Sequence, residues 1–74
     1  MINVYGTNIS INCVRSIKKL EEYGKQYTFI NILKDNKAKK MLKGLGFKRT
    51  PMFEVEGDWF SYDEFEDMLI SLDI

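Results

Sequence analysis

The sequence predicts an α/β domain in the order β-α-β-α-β-β-α, a four-stranded mixed sheet packed by three helices. Two stretches rich in β-branched and aromatic residues, Ile2–Tyr5 and Tyr27–Ile32, flank a segment with helical apolar spacing. That arrangement is a right-handed βαβ unit of about 30 residues, with its two strands parallel. Further on, two β-prone stretches meet across a glycine turn, and an amphipathic helix follows them. Seventy-four residues hold one domain, 1–74.

Strand one is Ile2-Asn3-Val4-Tyr5, stopped by Gly6. Thr7, Asn8 and Ser10 are turn and N-cap residue types. Helix one runs from Ile11 to about Tyr23, with Ile11, Val14, Ile17, Leu20 and, loosely, Tyr23 expected on its apolar face and Gly24 placed as its C-terminal cap. Strand two is Tyr27–Ile32. Asp35 or Asn36 caps helix two, which turns Ala38, Met41 and Leu42 inward and Lys37, Lys39, Lys40 and Lys43 to water. Gly44-Leu45-Gly46 ends it. Strand three is Met52–Glu56, Gly57-Asp58 is the hairpin turn, and Trp59-Phe60 begins strand four. Helix three spans Tyr62 to about Leu72, capped by a Ser61–Glu64 capping box, with Phe65, Met68, Leu69 and Leu72 buried.

Composition excludes several functions. At 45% hydrophobic and 30% charged, the chain reads as a soluble folded domain. No apolar run reaches about 18 residues, so no membrane helix is expected. The start lacks the basic-then-apolar order of a secretory signal. One cysteine forms no internal disulfide, and with no histidine neither a zinc site of the usual ligands nor histidine acid–base catalysis is expected. A reducing, cytoplasmic compartment is the default, and no metal or cofactor is expected.

Net charge is zero but unevenly spread. All eleven basic residues lie between Arg15 and Arg49, so the first 49 residues carry +8 and the last 25 carry −8. Two solvated faces of opposite sign explain this most simply; a basic face for an acidic partner is the sharper alternative. Nucleic-acid binding through Lys34 to Arg49 has no interleaved aromatics to support it, and none is expected.

The stretch that carries chemistry is Ser10-Ile11-Asn12-Cys13. It reads S-x-x-C, a redox C-x-x-C spacing with serine first. A loop from strand to helix start gathers unpaired N–H groups and the positive end of the helix dipole. A thiol held there is driven toward thiolate. A serine hydroxyl is not appreciably ionised near neutral pH, and no adjacent base activates Ser10.

Four stretches, in order, resemble the glutaredoxin family, and most closely its NrdH-type redoxins. They are Val4-Tyr5 before the loop; the motif itself, followed by Lys18 in its helix; Gly46-Phe47-Lys48-Arg49-Thr50-Pro51; and Trp59-Phe60-Ser61-Tyr62. The resemblance implies the thioredoxin fold in minimal form, over a single glutaredoxin-like domain. It implies a cis Pro51 that sets the Thr50 backbone opposite Cys13, ready to pair with an extended substrate. It gives Ser10 the nucleophile's position and Cys13 the resolving one, with Tyr5, Ile11, Asn12, Lys48, Arg49, Thr50, Pro51, Trp59, Ser61 and Tyr62 as substrate contacts.

The implied function is a thiol–disulfide oxidoreductase, an electron donor to protein disulfides such as that of ribonucleotide reductase. Its own reductant would be a thioredoxin-type flavoprotein reductase rather than glutathione. Phe60-Ser61 stands where glutaredoxins have a Gly-Gly pair and is expected to crowd glutathione. Thr7 and Asn8 replace the basic residue before the motif, while Lys48 and Arg49 still offer charge to a carboxylate. In its S-x-x-C form the chain is expected to be inactive in dithiol chemistry. The alternative is a non-catalytic redoxin-fold binding module, with Ser10, Thr50, Trp59 and Tyr62 as the recognition patch.

Overall fold

The computed structural model describes residues 1–72. The elements are β1 (Ile2–Gly6), α1 (Ile11–Glu22), β2 (Tyr27–Asn31), α2 (Asn36–Gly44), β3 (Met52–Val55), β4 (Asp58–Ser61), a 3-10 turn (Tyr62–Glu64) and α3 (Phe65–Leu72). They form one four-stranded mixed sheet in the order β2-β1-β3-β4. β1 runs parallel to β2 and antiparallel to β3, and β3 is antiparallel to β4.

Alternation sorts the side chains to two faces. Val4, Phe53 and Phe60 stand opposite one another across three strands. This face carries the main core, in which Ile2, Val4 and Phe53 meet Leu20 of α1 and Phe65, Met68 and Leu69 of α3. Phe53 and Phe65 pack edge to face, their centroids 5.3 Å apart. The opposite face carries Asn3, Tyr5, Met52, Glu54, Trp59 and Ser61.

The helices obey different phases from those expected. The buried side of α1 is Cys13, Ser16 and Leu20, while Ile11 and Val14 are 64% and 51% exposed and Tyr23, at the helix end, is exposed too. Steps of three residues fall about 60° short of a full turn, so the series Ile11, Val14, Ile17, Leu20 drifts around the helix. Cys13, Ser16 and Leu20, with half-buried Ile17 between, stay on one side. On α2, Ala38 and Leu42 are buried one turn apart, but Met41 is exposed rather than inward.

Both helices end in a Schellman motif. After α1, Lys25 N–H donates to Leu20 C=O at 2.9 Å and Gly24 N–H to Glu21 C=O at 3.1 Å. After α2, Phe47 N–H donates to Leu42 C=O and Gly46 N–H to Lys43 C=O, both at 3.0 Å. Gly46 holds φ +85°, which an L side chain resists. Asp35 is the N-cap of α2, accepting from Ala38 N–H at 3.0 Å.

β2 ends at Asn31, one residue earlier than expected, because the Asn31 side chain turns the chain by accepting from Leu33 N–H at 3.0 Å. The hairpin turn also shifts. Val55 pairs with Asp58, so the two-residue loop is Glu56-Gly57, not Gly57-Asp58. Both loop residues have positive φ, +50° and +93°, as the favoured hairpin turn demands, and glycine second satisfies it. Helix three begins as a 3-10 turn, with the Ser61–Glu64 capping box formed.

Candidate functional site

The loop after β1 delivers Ser10 to the N-cap of α1, with extended backbone at φ −83° and ψ 125°. Its C=O accepts from Val14 N–H at 3.1 Å, but its hydroxyl makes no capping bond. Cys13 follows in the first turn and is fully buried. Its Sγ accepts from Thr7 N–H at 3.5 Å and backs directly onto Gly6, where an added Cβ would overlap the sulfur. The helix start therefore leaves Ser10 half-buried at its cap and packs the thiol fully inward. Ser16 is buried one turn further on and returns its hydroxyl to Asn12 C=O at 2.7 Å.

Register brings the other candidates to the same end of the sheet. β1 runs into the motif loop, and β3 starts beside its last residues, with Tyr5 opposite Met52. Thr50 and Pro51 immediately precede Met52, and Ser61 lies opposite it on β4. So Ser10, Ile11, Asn12, Thr50, Pro51, Ser61 and Tyr62 converge. The Thr50–Pro51 peptide is cis, Pro51 is fully buried and Thr50 half-buried. Lys48 and Arg49 are exposed just before them.

Trp59 bridges this end to the segment that follows α2. Its ring lies 5.3 Å from Tyr5 and 5.1 Å from Phe47. Burial raises the Tyr5 phenol above its usual range, helped by the negative charges of Glu54 and Asp35, so it stays a neutral hydroxyl at neutral pH. Below Trp59, Glu54 accepts from the Asn3 amide at 2.7 Å and from Gly57 N–H at 2.6 Å. The Asn3 bond, then the Gly57 bond, lower its carboxyl below the usual value.

Phe60 does not stand where the expected steric block needs it. Its place opposite Phe53 sends the ring to the core face, where it packs against the main cluster. The Ser61 N–H next to it is taken up by Glu64, whose carboxylate accepts from it at 3.0 Å.

Two neighbours lay outside the sequence reading of the site. Gly6 had no motif signal of its own; its role depends on where Cys13 Sγ lands. Ile9 is 80% exposed beside exposed Ile11 and Val14, an apolar rim at the helix start. Val14 also lines a cleft of about 370 Å³ with Thr7, Ile17, Lys18 and Phe29.

No family model and no curated protein matches the chain. Solved structures do. The glutaredoxin-like protein NrdH-redoxin from Escherichia coli, described as having a thioredoxin-like activity profile, superimposes with a TM-score of 0.81 at 21% identity, over 90% of this chain and 92% of that one. The thioredoxin-like protein BC3987 gives 0.81 at 21% identity, over 95% and 97% of the two chains. A point mutant of it gives 0.82 at 22% identity, over 97% and 99%. Strand order, helix placement and these likenesses agree: the chain has the thioredoxin fold.

Proposed function

We propose that this chain is a redoxin-type protein that meets an extended segment of a partner protein where Ser10, Thr50, Pro51 and Tyr62 converge. Its dithiol disulfide reductase chemistry is absent while serine holds the first motif position. The observation that carries this reading is the half-buried Ser10 at the N-cap, its hydroxyl in no capping bond, with fully buried Cys13 three residues on in the first turn. That is the layout of an attacking position and a resolving one, with the attacking sulfur replaced by oxygen. Cys13 alone has no solvent access for attack on a partner's disulfide.

A thiolate at position 10 would complete the cycle. It attacks one sulfur of the partner's disulfide, forming a mixed disulfide and releasing the other sulfur as thiolate. Cys13 then attacks the position-10 sulfur and releases the second. The partner gains two electrons, and the two motif thiols become a disulfide. A flavoprotein reductase of the thioredoxin type returns the two electrons; ribonucleotide reductase is the kind of disulfide partner in view.

Glutathione is the weaker reductant on electrostatic grounds. The Ser61 N–H that a peptide carboxylate would seek already serves Glu64, and Asp63 adds a second negative charge. Lys48 and Arg49 are exposed and recover little of that.

The test is Ser10→Cys. The variant should reduce an insulin-type disulfide with a flavoprotein reductase as donor, and turn over poorly with millimolar glutathione. The serine form should show negligible activity with either. A folded Ser10→Cys protein inactive with several flavoprotein reductases would leave the second reading, a non-catalytic partner-binding module. The exposed apolar rim of Ile9, Ile11 and Val14 favours that reading.

A further inference from the structure

A second concave surface lies beyond Thr50, under α2. Its floor is half-buried Ile32 and Phe47, with buried Leu42 behind them, tied to Phe47 by the Schellman motif that ends the helix. Its rim carries four cations, Lys39, Lys43, Lys48 and Arg49, around a volume of about 300 Å³. None of the four has an ion-pair partner among the described residues. On α1, by contrast, Arg15 and Lys19 share a cleft with Asp63 and Glu66, and Lys19 pairs with Glu66 at 3.6 Å. The α1 cations thus have acidic neighbours in their cleft, and the four on this rim have none in theirs among the described residues.

We propose that this groove binds an acidic peptide segment of a partner protein, with one aliphatic or aromatic side chain seated on Ile32 and Phe47 and carboxylates over the four cations. The apolar floor selects against a polyanion with no apolar anchor, which would leave the floor uncovered. Four unpaired cations select against a neutral or basic segment. Thr50 lines the groove and also belongs to the proposed partner-binding end. One continuous partner segment can therefore cross Thr50 and run into the groove. To that extent the proposal rests on the function proposed above, but binding at the groove is measurable without any disulfide chemistry.

The protein carries its own reporter. Trp59 is the only tryptophan, and its ring packs at a tilt against Phe47 of the floor, the centroids 5.1 Å apart. The probe is a synthetic hexapeptide with two acidic residues on each side of a central Leu-Phe pair. Its titration should change Trp59 emission in a saturable way. Affinity should fall about tenfold or more between low and physiological salt, since the rim charges are exposed. Lys39→Glu with Lys43→Glu should weaken binding at least about tenfold, and the neutral Lys39→Gln, Lys43→Gln pair should weaken it less. Circular dichroism on each variant checks the fold.

A lysine-flanked peptide with the same centre should not bind. Equal binding of that control, or an unchanged affinity in the double glutamate variant, overturns the proposal. So does tighter binding of a single-stranded oligonucleotide or of anionic phospholipid vesicles than of the acidic peptide. Concentration-dependent self-association abolished by the same variant would assign the groove to the acidic half of a second copy and overturn it too. An active Ser10→Cys enzyme with no peptide binding refutes the groove alone. Peptide binding with no restored activity refutes the reductase reading alone.

Discussion

Gly6 and Cys13 are fitted to each other. The last residue of β1 has no side chain, and the thiol of α1 fills the space a Cβ would need. Gly6→Ala should cost about 1–3 kcal/mol, as overpacking of a close contact does. Cys13→Ala alone leaves a small void. Together the two substitutions should be less destabilising than the sum of the singles, because the alanine at position 6 takes the room the sulfur vacates. Urea unfolding of the four proteins measures this, and strict additivity would show that the contact is not the constraint. The S-x-x-C spacing was legible in the sequence, but the close fit of its cysteine against Gly6 was not. That depends on the phase of α1 over β1, and the exposed Ile11 and Val14 imitate a different phase.

The β3–β4 hairpin is held by a carboxylate. Glu54 accepts from the Asn3 side chain across the sheet and from Gly57 N–H in the turn. Both bonds favour the charged form, so its pKa falls below the ordinary 4.5 or so. The sign follows from linkage: the stabilisation is fully present above the unfolded value and is lost as pH falls through the folded value. Glu54→Gln should therefore be less stable than the parent by about 1 kcal/mol at pH 7. The gap should narrow as the pH drops below about 4.5. Chemical denaturation at pH 7 and pH 3 reads it; a gap that widens in acid would contradict the assignment. The elements themselves were plain from periodicity, because β-branched runs and glycine stops are local signals. The turn was misplaced by one residue because Gly57 fits either of two loops. Pairing of Val55 with Asp58, a contact between strands, decides between them.

At the scale of the molecule, one core does most of the holding. A domain of 74 residues has roughly 4–11 kcal/mol of stability at the usual value per residue. Phe53 is fully buried between Val4, Phe60 and Phe65. Phe53→Ala should cost about 3–5 kcal/mol and leave a large share of molecules unfolded at 37 °C. Thermal unfolding followed by circular dichroism measures it, and a loss under about 1 kcal/mol would refute the placement of the core. The charge asymmetry was legible as numbers, +8 against −8. Its geometry was not, because only the fold puts α1 beside α3 and leaves the α2 lysines without ion-pair partners among the described residues.

The place of β1 in the sheet also has a consequence in time. Its ladder with β2 closes after one helix, Val4 reaching Phe29. Its ladder with β3 joins residues about fifty positions apart, as the Asn3–Glu54 bond shows. The βαβ half and the hairpin half can each organise early, while their union requires closing the longest loop in the domain. Folding should therefore be limited by the β1–β3 seam, where Val4 meets Phe53. The same Phe53→Ala variant tests this by stopped-flow: refolding should slow, where a contact made after the barrier would only hasten unfolding.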